Sequence, residues 1–110
     1  MDDLSAKKCV PCEGGTPPLM AKEIQEYLPK VPGWSVAADM KSISREFQFK
    51  DFKEAIAFVN EVADLAEFEG HHPDISIFSY KNVRLKLDTH AIGGLSENDF
   101  ILAAKINRIG

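Results

Sequence analysis

Cysteine occurs only twice in the 110 residues, as Cys9 and Cys12, so a disulfide framework is excluded and a reducing compartment is the natural setting. No apolar run approaches the ~20 residues that span a bilayer, and the polar opening Met1-Asp2-Asp3 lacks a secretory apolar region. The expected address is therefore cytoplasmic. Basic charge is scarce too: the net charge is −4, and Lys7-Lys8 and Lys105/Arg108 stand isolated, which gives no footprint for nucleic acid. The chain also lacks a Gly-x-Gly-x-x-Gly or Walker loop for phosphate, a Gly-x-Ser-x-Gly elbow for a serine nucleophile, and a His-x-x-x-His pair for a helical zinc site. What remains is an ordinary globular composition, 45% hydrophobic and 27% charged, in a chain long enough for one domain that buries about two thirds of its unfolded surface.

Residues 1–18 read as a flexible arm, because proline and glycine crowd the stretch from Pro11 to Pro18 and resist both helix and ladder. Cys9 and Cys12 have the spacing of half a zinc site or of a redox dithiol. With no second pair to complete a tetrahedron, the plain reading is two accessible thiols. Residues 19–110 carry the folded pattern. Met20, Ile24, Tyr27 and Leu28 recur at helical spacing between Pro18 and Pro29. Trp34-Ser35-Val36 opens a short strand, and Ile43, Arg45, Phe47 and Phe49 alternate with polar residues in a second, making a hairpin.

A long helix follows, opened by Asp51 with Glu54 in the form of a capping box. Phe52, Ala55, Ile56, Val59, Val62, Ala63 and Ala66 are its expected core stripe, while Phe58 and Leu65, off that stripe, are expected to meet another helix or another subunit. Gly70 suits the left-handed position that ends such a helix. Ile75 and Ile77, a turn at Tyr80-Lys81-Asn82, then Val83, Leu85 and Leu87 form a second hairpin. Ser96 with Asp99 caps a last helix. The fold predicted is α+β in the order α-β-β-α-β-β-α, one four-stranded antiparallel sheet with three helices on one face. Its free edges invite self-association.

The three histidines gather at the second hairpin: His71 and His72 enter its first strand and His90 leaves its second. Those points are neighbours across a ladder, so three groups able to carry protons at neutral pH meet at one end of it. Pro73 pushes His72 towards an extended backbone, and adjacent extended side chains point apart, which argues against one metal ion held by His71 and His72. Glu67, about one helical turn before His71, is placed to hold an imidazole in one tautomer. Asp99 is read as a cap, an imidazole partner, or both.

Glu67, His71-His72-Pro73, Tyr80, His90 and Asp99, with three, six, nine and eight residues between them, resemble the signature of the pterin-4a-carbinolamine dehydratases. Thr89-His90 with Gly94-Leu95-Ser96-Glu97, and Phe47 to Phe52, are similar to other parts of that family, and the resemblance covers about residues 19–108. Ala91 and Ile92 stand where animal members carry a Glu-Cys pair. The resemblance implies the same α+β fold, a homodimer or homotetramer, and a dehydratase that converts 4a-hydroxytetrahydropterin to quinonoid dihydropterin in tetrahydrobiopterin recycling. It implies catalysis by His71, His72 and His90, with His72 mainly orienting the ring, and no cofactor or metal. It further implies pterin binding by His71, His72, Pro73, Thr89, His90, Ala91 and Ile92, supported by Glu67 and Asp99. Some animal members also bind a transcription factor, so a protein-binding, coactivator-like module is the alternative. A molybdopterin-related role for the cysteine arm is another.

Overall fold

The computed structural model describes residues 18–109; the arm with Cys9 and Cys12 lies, Pro18 apart, outside the described residues. Helix α1 (Ala21–Tyr27) runs into a 3-10 turn, then come strands β1 (Ser35–Val36) and β2 (Ile43–Gln48), helix α2 (Phe52–Glu69), strands β3 (Asp74–Phe78) and β4 (Asn82–Leu87), a 3-10 turn at His90–Ile92, and helix α3 (Glu97–Ile109). The expected three helices and single antiparallel sheet are all present, and the strands stand in the order β1-β2-β4-β3. Each hairpin thus contributes its second strand to the centre, where β2 and β4 pair from Ile43 opposite Leu87 to Gln48 opposite Asn82.

Alternation decides which side of this sheet is covered. Ile43 from β2 and Val83, Leu85 and Leu87 from β4 are fully buried beneath the helices, whereas Ser44, Glu46, Arg84, Lys86, Asp74 and Ser76 share the opposite parity. The residues of β3 that match the core parity, Ile75 and Ile77, remain 37% and 36% exposed. They belong to the outer strand, which has β4 on one side and no strand on the other among the described residues.

The core stripe of α2 differs from expectation. Ala55, Phe58, Val62, Ala66 and Glu69 are its buried residues, while Phe52 is 52% exposed and Ala63 lies on the surface. Phe58 is the anchor of the helix, not an off-stripe residue: its ring centroid lies 4.7 Å from Phe47 and 5.0 Å from Phe49, and Leu65 packs against the same core. The physical reason is volume. β2 offers two aromatic rings to the helix, and the ring pair is satisfied by the larger Phe58 rather than by the small Ala63.

Both ends of α2 follow from local chemistry. The Asp51 carboxylate accepts the Glu54 N–H at 2.9 Å, and Glu54 reaches back to the Lys50 N–H at 3.2 Å, one residue before the position a capping box would use. At the other end Gly70 adopts φ 69° and ψ 25°, with its N–H on the Ala66 carbonyl. A left-handed residue costs an L side chain roughly 1–2 kcal/mol, so glycine is the natural stop. The chain leaves in a new direction immediately before His71.

Two contacts fix α3. Tyr27 of α1 stacks on Phe100 at 4.9 Å, and Asn107 ties the far end to the first hairpin, its amide oxygen accepting from Trp34 Nε1 at 2.8 Å and Arg45 at 2.6 Å. Between them, Lys105 of α3 meets Glu69 of α2 at 3.0 Å, with the glutamate side chain 1% exposed and the lysine 16%.

Candidate active site

His71 lies between the left-handed Gly70 and the start of β3 and turns its ring inward. Its Nε2 is 2.5 Å from Asp99 Oδ1, with the histidine side chain 13% exposed and the aspartate 0%. His72, forced the other way by the extended backbone before Pro73, meets Glu67 at 2.5 Å on the outside, where the two side chains are 59% and 78% exposed. The divergence of adjacent side chains is as expected, but the carboxylate partners differ. Glu67 holds His72, and the inward His71 takes Asp99. The αL residue at Gly70 breaks the helical spacing that would have set His71 over Glu67.

Asp99 does three things at once. As a cap residue in the first turn of α3 its Oδ2 accepts the Ser96 N–H at 2.9 Å. The same oxygen accepts the Thr89 hydroxyl at 2.8 Å, leaving Oδ1 for His71. Thr89 Oγ1 also stands 2.7 Å from Ser96 Oγ. A fully buried carboxylate must have such partners, because an unpaired one would cost several kcal/mol in lost hydration. The exposed His72–Glu67 pair has no such requirement and contributes at most about 1 kcal/mol.

Thr89 is brought to this position by the end of the second hairpin. β4 stops at Leu87, so strand parity does not extend to His90. Instead Thr89 bridges to Gly94, donating its N–H to the Gly94 carbonyl and accepting from Ile92 and Gly94. Gly94 is needed there for close approach, since a Cβ would stand 2.8 Å from Pro18 Cβ. The enclosed turn carries His90, Ala91 and Ile92, with Ala91 exposed and Ile92 half-buried; the expected convergence of the His90 imidazole lies outside the described side chains. Thus His71, Thr89, Ser96 and Asp99 come together through hydrogen bonds, Pro73 is half-buried beside them in sequence, and His72 with Glu67 forms an outer pair.

Two participants escaped the sequence reading. Ser96 was legible only as a cap, since its contact with Thr89 needs α3 docked against the end of β4. Glu69 had a signal: it follows Val62 and Ala66 at helical spacing, a charged residue on an apolar stripe. No group of three or more His, Cys, Asp or Glu side chains among the described residues is arranged to hold a metal ion.

The family model for pterin 4 alpha carbinolamine dehydratase matches residues 17–109. The chain belongs to this family. Membership makes it a dehydratase, a lyase that cleaves a carbon–oxygen bond to release water. A protein of Rubrobacter xylanophilus whose name places it in the same family is 45% identical, over 99% of this chain and 100% of that one. The mitochondrial pterin-4-alpha-carbinolamine dehydratase 2 of Arabidopsis thaliana is 48% identical over 97% of this chain, which spans 59% of that protein. Among solved structures, the transcriptional coactivator/pterin dehydratase of Brucella melitensis superposes with a TM-score of 0.78 at 36% identity, covering 84% of this chain and 97% of that one.

Proposed function

We propose that this dehydratase removes water from a 4a-hydroxytetrahydropterin to give the quinonoid dihydropterin, the recycling step that follows an aromatic amino acid hydroxylase, with His71 and His90 carrying the protons. Hydroxide departs from C4a and takes up a proton, N5 gives up its proton to a base, and the N5 electron pair closes the C4a–N5 double bond. No electron is gained or lost overall, so the step calls for an acid and a base rather than a redox partner. The observation that carries the reading is the His71–Asp99 contact at 2.5 Å, an imidazole backed by a buried carboxylate as a proton-transfer group requires. His72, exposed and held by Glu67, orients the pterin, and the backbone of His71 to Pro73 and of the turn through Ala91 and Ile92 binds its edge.

A coactivator-like role as a binding module is the weaker reading, because binding alone gives no reason to keep a histidine hydrogen-bonded to a fully buried carboxylate. The protein acts as a homodimer or homotetramer in this reading, with the outer edge of β3 offered to a second copy. A cytoplasmic address accords with the absence, among the described residues, of a helix long and apolar enough to cross a membrane. The test is stopped-flow dehydration of synthetic 4a-hydroxytetrahydropterin by the purified protein. Acceleration over buffer supports the assignment, and a rate equal to buffer sinks it.

A further inference from the structure

Which nitrogen of His71 exchanges the proton follows from how Asp99 is held. Its Oδ2 has two donors, the Ser96 N–H and the Thr89 hydroxyl. The Thr89 proton is committed to Asp99, so the 2.7 Å contact between Thr89 Oγ1 and Ser96 Oγ has Ser96 donating and Thr89 accepting. The chain of hydrogen bonds therefore has one direction, from Ser96 to Thr89 to the carboxylate. A carboxylate already receiving two donors on Oδ2 acts as an acceptor on Oδ1 too, and the group there is His71 Nε2.

We infer that the Ser96–Thr89–Asp99 chain holds neutral His71 as its Nε2–H tautomer and so makes Nδ1 the nitrogen that takes the proton from pterin N5. Thr89 and Ser96 are then positioning residues, acting through Asp99. This inference rests on the dehydratase reading for the identity of the proton, and on the hydrogen bonds alone for the tautomer. In the catalytic step the N5 proton passes to Nδ1, the imidazolium is stabilised by Asp99 through Nε2–H, and the proton for the departing hydroxide comes from a second group, which the proposed function assigns to His90. The arrangement follows the logic of the Ser-His-Asp triad, in which a buried aspartate fixes tautomer and orientation without itself taking the proton. Thr89 suits this task and not a substrate contact: it is 4% exposed, and its N–H, carbonyl and hydroxyl all have partners within the protein.

The sharpest test is Asp99→Asn. The amide oxygen can keep the Thr89 and Ser96 donors, while its NH2 faces His71 Nε2 and demands a bare nitrogen there. Nitrogen-15 NMR of the ring in the unliganded protein should show protonated Nε2 in the wild type and protonated Nδ1 in Asp99→Asn, and turnover should fall by about 10³-fold or more, since the same reversal costs a Ser-His-Asp triad ~10⁴. Thr89→Val should lower kcat by roughly tenfold with KM within about twofold, and Thr89→Ser should recover most of that loss, the scale seen when a group orienting an imidazole is removed. Should Asp99→Asn or Thr89→Val fail to fold, Ser96→Ala, which removes the first donor in the chain, carries the comparison with a smaller loss of kcat in the same direction. Bare Nε2 in the wild-type ring, or a Thr89→Val enzyme with unchanged kcat and ring spectrum, overturns the inference. A wild-type protein without dehydratase turnover refutes the function instead, and the ring spectra still decide the tautomer.

Discussion

Replacing Lys105 by methionine tests how the two long helices are held at the angle that aims His71 at Asp99. The lysine Nζ lies 3.0 Å from Glu69 Oε2, and the glutamate side chain is 1% exposed, so the variant strands a carboxylate that water reaches poorly. Removing one partner of a buried pair costs about 3–5 kcal/mol. Because Lys105 keeps 16% exposure, some water can follow the vacated amine, and the lower end, ~3 kcal/mol, is the expectation. For a domain of this size each kcal/mol moves Tm by about 4–8 °C, so the midpoint should drop by roughly 12–24 °C. Urea unfolding followed by Trp34, the one tryptophan and 6% exposed, reads the free energy directly. The double variant Glu69→Leu/Lys105→Met removes both charges and should return to within about 1 kcal/mol of the parent, since a well-packed apolar pair replaces a buried ion pair at little net cost. A single Lys105→Met variant that loses less than about 1 kcal/mol would refute the reasoning, showing the carboxylate to be hydrated or otherwise satisfied.

Phe58→Ala should cost about 3–5 kcal/mol, because the ring is 5% exposed and packed on Phe47 and Phe49; Phe52→Ala, on the exposed side, should cost under about 1 kcal/mol, and equal losses in chemical denaturation would contradict the assigned face of α2. Gly70→Ala should destabilise by roughly 1–2 kcal/mol through backbone strain alone, since an added Cβ meets nothing within 4 Å; a larger loss in thermal unfolding would mean a clash that the geometry does not contain. His72→Ala should mainly raise KM for the pterin, and a steady-state assay showing a large kcat loss at unchanged KM would overturn its role in orientation.

Local chemistry made much of this legible. Alternation in Ile43 to Phe49 and in Val83 to Leu87 marked the central strands, Asp51 and Gly70 marked the ends of α2, and Pro73 announced that His71 and His72 would diverge. Three things depended on tertiary placement. Phe58 is one of many apolar residues distributed around α2, so periodicity alone could not say which side met the rings of β2. Ile75 and Ile77 alternate as a core strand does, yet alternation cannot tell an outer strand from an inner one. Glu67 was spaced for His71 by the rule of a continuous helix, and one left-handed residue at Gly70 transferred it to His72. The roles of Asp99, Thr89 and Ser96 lay beyond pattern because α3 must dock against the end of β4 before they meet.

The most direct measurement is the single-turnover dehydration rate of 4a-hydroxytetrahydropterin by His71→Ala beside the parent protein, at saturating substrate. A positioned proton-transfer group contributes roughly 10²–10⁴-fold, and the neighbouring histidines limit but do not replace it, so the variant should be at least about tenfold slower with its circular dichroism unchanged. A His71→Ala protein that turns over at the parental rate would contradict the account.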